Sequence, residues 1–348
     1  MSDDYLMNST EPATRTPNTA AADLSCQDGR SIGLISNPNS GRNRKQLQAI
    51  ERIVANHPRV HHYPTHALDD LPVAMNALAN QPIRILAING GDGTVARVLT
   101  HLLEHSPFER LPLIILLPGG TTNMTAGDVG LRGNLPGAVA RLCRWADGSG
   151  DEHRLLRRPI LRVETGAGQP AACGMFFGAG AIIHGIDYCR ASLHTKGVSN
   201  EIGPGLAMAR TFWGIARRDR RFARPVAVSV ALDAAPPAPA QDMLILLVSS
   251  LERLFLGMRP YWGEENGPLH VSMIRAGADR LLRTLPALLR GRPNRHADAC
   301  AGYQSHNVER IRLMLDGPYT LDGEIYQASR ATGPVTITNG GTVTFVRV

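Results

Sequence analysis

Three carboxylates and two glycine-rich turns are the residues of this chain whose types and spacing can do chemistry. Asp92 lies inside Gly90-Gly91-Asp92-Gly93-Thr94, and Asp322 and Glu324 lie two apart in Leu321-Asp322-Gly323-Glu324. Glycines bring bare backbone N–H groups close to a phosphate, and a helix that starts at once adds its positive end. A carboxylate in such a loop repels phosphate. Asp92 fits there as a helix cap, as a partner of a divalent cation, or as a participant in proton transfer. Asp322 and Glu324 are the residue types that position or deprotonate an acceptor hydroxyl in phosphoryl transfer. The default for each Asp-Gly pair, at 316–317 and 322–323, is a hairpin turn.

The elements around these residues follow a pattern. Ile83–Ile88 is an apolar run of the kind buried on both faces of a parallel sheet. After the GGDGT loop, Val95, Val98, Leu99, Leu102 and Leu103 recur at helical spacing. Upstream, strand 31–36 runs into Asn37-Pro38-Asn39-Ser40-Gly41, and a helix carries Leu47, Ile50 and Val54. A short strand at 59–63 and a helix through Leu71, Met75 and Leu78 follow. Downstream, strand 113–117 ends in Pro118-Gly119-Gly120-Thr121-Thr122-Asn123, before a helix over 136–146. Strands alternating with helices predict a parallel sheet covered on both faces, with the three polar loops converging at its carboxyl edge. Asn37 and Ser40 then face a nucleotide from one side or cap a helix. Gly120, Thr121 and Asn123 form the far wall.

After about residue 151 the texture changes. Strands are expected at 155–165, 171–177, 226–232, 243–249, 269–274, 308–315, 335–338 and 342–348, with helices only at 203–217 and 278–289. That predicts a second, mostly antiparallel, β-rich domain. The expected division is a disordered tail over 1–29, an α/β domain over 30–150 and a β-rich domain over 151–348, with the active site in the cleft between the domains.

The chain has 348 residues, 43% apolar and 19% charged, a globular balance. There is no run of about 18 apolar residues, so no membrane span is expected. The first residues lack the apolar core of a signal peptide. The five cysteines are scattered without a Cys-x-x-Cys pair, which favours neither zinc nor a disulfide framework and fits a reducing cytoplasm. Net charge is +7, with arginines clustered at 210–224 and 275–295. Such clusters face anionic surfaces or are simply solvated. Aromatic residues make up 5% and do not interleave with them, which argues against nucleic acid. The apolar stripe Leu281, Leu282, Leu285, Leu288, Leu289 reads either as a surface that touches membrane or as a helix packed on the second domain.

Taken in order, NPNSG, GGDGT, PGGTTN and LDGE resemble the diacylglycerol kinase catalytic family, which includes soluble bacterial lipid kinases and their sphingosine and ceramide kinase relatives. GGDGT alone is shared with NAD kinases and, loosely, phosphofructokinases. The resemblance spans residues 30–348 and implies an ATP-binding domain over 30–150, a lipid-substrate domain over 151–348, and ATP and Mg²⁺ as cofactors. It implies that Gly90, Gly91, Asp92, Gly93, Thr94, Val95 and Ala96 hold the ATP phosphates, with Thr65 and Thr121 near the nucleotide. It places Glu324 and Asp322 ahead of Asp92 as the proton acceptor. Two departures stand out: Met124 occupies a position where the family usually has Asp, and Asn266-Gly267, following Glu264-Glu265, falls where the family's metal-binding Asp-Gly is expected. Asp92, Glu265 and Asn266 are the candidate metal contacts. The function implied is transfer of the γ-phosphate to diacylglycerol, a sphingoid base or ceramide, presented at the inner face of a membrane. No nucleic acid or stable protein partner is expected. The alternatives are an NAD kinase-like enzyme and a nucleotide- or lipid-binding pseudokinase.

Overall fold

The computed structural model describes residues 30–186 and 224–348, apart from 68, 151 and 167, together with 210, 214, 217 and 219. The expected tail, the helix over 203–217 for the most part, and Cys26 and Cys189 lie outside the described residues.

Four parallel strands form the first half: β1 (Ile32–Ser36), β2 (Val60–Pro64), β3 (Ile85–Gly90) and β4 (Leu113–Pro118). Their spatial order is β4-β3-β1-β2. β1, β3 and β4 are buried along their whole length, which their continuous apolar runs dictate. The connecting helices are α1 (Asn43–Val54), α2 (Asp70–Ala79) and α3 (Asp92–His105). α3 buries Val95, Val98, Leu99 and Leu102, each worth roughly 1.5–3 kcal/mol. The chain leaves β1 towards β2 on one side and leaves β3 towards β4 on the other. The sheet therefore switches direction between β1 and β3, where loops part and a ligand can enter.

A short helix that the sequence pattern did not suggest, α4 (Met124–Val129), follows β4. α5 (Leu135–Ala146) begins with Pro136 in its first turn, and Asn134 Oδ1 accepts the Gly137 N–H at 2.9 Å.

The second half is antiparallel. Its strands are β5 (Arg154–Thr165), β6 (Ala172–Gly174), β7 (Phe176–Gly180), β8 (Val226–Leu232), β9 (Gln241–Ser249), β10 (Leu269–Arg275), β11 (Tyr303–Val308), β12 (Arg310–Leu315), β13 (Gly317–Leu321), β14 (Glu324–Ala328) and β15 (Val335–Arg347). The two segments expected at 335–338 and 342–348 are one strand, interrupted by a register shift between Asn339 and Thr342. β15 also meets β4 in parallel at Phe345 and Ile114, so one sheet of 15 strands runs through the described residues. The stretch expected as one strand at 308–315 breaks at Glu309, and β11 was not foreseen.

Only one of the two Asp-Gly hairpins forms. Asp322-Gly323 links β13 to β14 with Leu321 opposite Glu324, and both loop residues have positive φ, 47° and 87°. Asp316-Gly317 is not a hairpin, because β12 pairs with β8 and β15 while β13 pairs with β14 and β7. The helix expected at 278–289 is shorter, α6 (Leu281–Leu288), because Arg280 takes a left-handed φ of 51° and cannot continue it backwards.

Candidate functional site

The three polar loops meet, and polar side chains, half-buried at Asn37 and Ser40 and buried at Asn43, hold them together. The Asn37 amide donates to Thr94 Oγ1 at 2.9 Å, and Ser40 Oγ accepts the Gly91 N–H at 3.2 Å. Arg42 N–H donates to the Gly119 carbonyl at 3.0 Å. Beneath them Asn43 donates to the carbonyls of Asn37 (2.7 Å) and Asn89 (3.1 Å). Asn37 and Ser40 thus tie loop to loop and cap no helix. Asn123 folds back on its own turn, accepting from Gly120 N–H and donating to the Gly120 carbonyl. Gly120 is required by close approach: a Cβ there would collide with Gly91 Cα.

Asp92 does not cap its own helix. Gly91 holds the N-cap position of α3. The Asp92 carboxylate reaches across to α4, accepting the Met124 N–H at 3.0 Å and the Thr125 N–H at 2.8 Å. It caps the first turn of the neighbouring helix and ties GGDGT to PGGTTN. Burial raises its pKa, and those backbone hydrogen bonds partly offset the rise.

Thr65 is buried, its hydroxyl donating to the Ser36 carbonyl, so its side chain serves the fold. Val95 and Ala96 turn their side chains into the core and leave only backbone to a ligand. Gly90, Gly91, Gly93 and Thr94 form the loop, and Thr121 is exposed opposite it.

Asp322 and Glu324 reach the same place from the second half. Asp322 N–H donates to the Phe176 carbonyl at 2.9 Å, and Asp322 Oδ2 accepts the Met175 N–H at 2.8 Å. Its Oδ1 is buried without a hydrogen-bond partner. Burial, then the nearby Asp92, push its pKa well above the ordinary value. Glu324 differs. It is 43% exposed, and Oε1 lies 3.8 Å from Arg97 Nη2. Its carboxylate sits so close over Gly93 that a Cβ there would be 2.7 Å from Oε1.

Sequence reasoning missed Arg97. The available signal was its position four residues after Gly93 on α3, hence on the same face. It also missed the cavity of about 420 Å³ that these groups close at one end. Gly91, Asp92, Gly93, Asp322 and Glu324 line its polar end, and Phe176, Ile182, Ile245, Leu247, Trp262 and Leu285 are among its apolar walls. Strand residues that alternate faces bring these side chains together from distant segments, so no contiguous signal exists. Met124 contributes to the lining as well.

The metal candidates do not assemble. The Glu265 carboxylate is taken by His306 Nδ1 at 2.7 Å and the Asn307 N–H at 3.0 Å, which hold its pKa down at about 2. Asn266 is exposed beside it, and neither lines the cavity. Both Asp92 oxygens are occupied by backbone N–H groups. No cluster of three or more His, Cys, Asp or Glu among the described residues could hold a metal ion. Asp128 does not replace the family Asp absent at Met124: its Oδ2 accepts from Arg158 Nε at 3.1 Å and from Glu252 N–H at 3.2 Å.

Residues 31–150 match the family model of the diacylglycerol kinase catalytic domain. Two solved structures from Bacillus anthracis str. Sterne share the fold. One, of a provisionally assigned diacylglycerol kinase, has a TM-score of 0.59 at 17% identity. The other, of a diacylglycerol kinase, has a TM-score of 0.55 at 16% identity. Each alignment covers 90% of this chain and 96% of the other. No curated protein matches the chain. The family match ends before Asp322 and Glu324, whose place in the site rests on geometry. The matched segment is about a third of the chain, and the loops of β1, β3 and β4 all lie inside it, so this part of the chain is similar to a diacylglycerol kinase catalytic domain.

Proposed function

We propose that this protein is an ATP-dependent lipid kinase, residues 30–150 holding the nucleotide and 151–348 the acceptor. The observation that carries this reading is the junction of an apolar cavity with a glycine loop and two carboxylates. A cavity of this volume falls in the usual range for small-molecule sites. Its apolar walls suit an acyl or sphingoid chain, and its polar end leaves a hydroxyl beside the loop.

The backbone N–H groups of the GGDGT loop and the first turn of α3 bind the phosphates. Glu324 takes the proton of the acceptor hydroxyl. The freed oxygen forms a bond to the γ-phosphorus, the bond from that phosphorus to the bridging oxygen breaks, and ADP leaves. Glu324 suits this role better than Asp322, because it is open to the cavity while Asp322 is buried and favours its protonated form. Arg97 keeps a positive charge beside Glu324 and the transferring group. Mg²⁺, if carried in with the nucleotide, would supply charge neutralisation at the phosphates. The described side chains offer no cation cage of their own.

The deciding experiment incubates purified protein with [γ-³²P]ATP and a panel of diacylglycerol, ceramide and sphingoid bases in mixed micelles, with NAD as a soluble alternative. Labelled lipid is expected. Label in NAD alone supports the NAD kinase-like reading, and ATP binding without transfer to any acceptor supports a pseudokinase.

A further inference from the structure

The wall of the cavity carries an outer face that the phosphoryl-transfer chemistry does not use. α6 turns Leu285 and Leu288 inward onto the cavity and Leu282 outward, where it is 52% exposed. The neighbouring loop places Phe255 and Met258 on the cavity and Leu256 outward, 71% exposed, with a left-handed φ of 58°. A hydrogen bond from Arg259 N–H to the Leu289 carbonyl, 2.8 Å, fastens this loop to the end of α6. Large exposed apolar side chains are few among the described residues, and two of the four flank this one cavity.

The same segment is strongly basic. Residues 280–296 contain five arginines and neither Asp nor Glu. Arg280 Nη1 lies 3.0 Å from His296 Nε2, and Arg295 Nε lies 3.4 Å from the same atom. Arg280 and Arg295 therefore meet at His296, and Arg283 stands one turn along, its N–H donating to the Arg280 carbonyl at 2.9 Å; desolvation and these charges lower the His296 pKa. Asp279 and Asp298 border it.

We infer that this face docks on an anionic membrane, with Leu256 and Leu282 entering the headgroup layer and Arg280, Arg283 and Arg295 against lipid phosphates. Arginine beside exposed leucine on one helix is the chemistry of an interfacial element. Clustered basic residues gain from an anionic leaflet as they do not from a neutral one. The inference rests on the lipid-kinase reading only in giving the acceptor a route into the cavity. Docking itself needs no turnover.

The test is co-sedimentation of the full chain with phosphatidylcholine vesicles, with and without phosphatidylglycerol, in the absence of ATP. Binding is expected only with phosphatidylglycerol and should weaken as salt is raised. Arg283→Glu/Arg295→Glu should lower the affinity about tenfold or more, and Leu282→Ser should lower it severalfold. Arg52→Glu/Arg144→Glu, an equal change of net charge on α1 and α5, should leave it within about twofold. Thermal unfolding confirms that each variant is folded. Equal binding to both vesicle types, no binding to either, equal losses in both charge-reversal pairs, or capture of duplex DNA in place of vesicles overturns the proposal. A protein that binds vesicles in this way but phosphorylates no lipid overturns the kinase reading and leaves the docking face standing.

Discussion

Met175 holds Asp322 from beneath: its N–H lies 2.8 Å from Oδ2, while Oδ1 faces no hydrogen-bond partner and the whole side chain is buried. Burial and the neighbouring Asp92 raise the Asp322 pKa well above 3.8. The native state therefore keeps a proton that the unfolded chain releases. This contribution to stability is fully present below the unfolded pKa and is lost as pH rises through the higher native one. Asp322→Asn keeps an oxygen for Met175 and carries no charge. Urea unfolding at several pH values should show the variant gaining on the parent as pH climbs above about 4, through the raised native pKa. Parallel pH profiles for the two proteins would contradict the assignment.

Glu324 and Asp322 should separate in turnover. Glu324→Gln should lower kcat by about 10²–10⁴, the usual worth of a positioned base, with little change in KM for ATP. Asp322→Asn should cost less. The reverse ranking would move the proton acceptor to the buried residue.

Gly93 and Gly120 both sit where a Cβ has no room, yet for different reasons. At Gly93 the obstacle is the movable end of the Glu324 side chain, and at Gly120 it is the backbone of Gly91. Gly93→Ala should leave stability unchanged or raise it by about 0.5–1 kcal/mol, as expected inside a helix. Its turnover should fall, because Glu324 must move. Gly120→Ala should lose about 1–3 kcal/mol in denaturant unfolding, because two loops must separate. Equal stability in both variants would count against the close packing of these loops.

Much of this site is visible in the sequence, for physical reasons. Buried parallel strands need long apolar runs, so β1, β3 and β4 announce themselves, and each ends in a loop whose Gly, Asn and Ser content stands out. The convergence of those loops follows from the carboxyl-edge rule. The partner of Asp92 is not visible. Its cap target is α4, six residues long and without a periodic apolar face, reached through the pairing of β3 with β4. Asp316-Gly317 and Asp322-Gly323 look alike in sequence, and only strand pairing far from each decides which becomes a hairpin. The fate of Glu265 was equally hidden, because His306 and Asn307 come from β11, a strand too polar to be foreseen.

Asp92 bridges two loops, which gives its removal a double signature. Asp92→Ala leaves the Met124 and Thr125 N–H groups without their acceptor. Loss of a helix cap costs about 0.5–2 kcal/mol. Turnover should fall by more than about 100-fold, because the GGDGT loop loses its tie to the opposite wall. Reduced stability with near-normal turnover would limit Asp92 to capping α4.

The cavity sets the last prediction, which concerns the acceptor tail. Met258 is partly buried at its wall, in the loop that also carries Phe255. Tryptophan at this position would take up cavity volume. Met258→Trp should therefore raise KM for long-chain acceptors about tenfold or more and leave short-chain acceptors and KM for ATP nearly unchanged. Chain-length series assayed in mixed micelles separate this from a general defect. A proportional loss for every chain length would mean that the acyl chain lies elsewhere, and that the apolar cavity does not select the substrate.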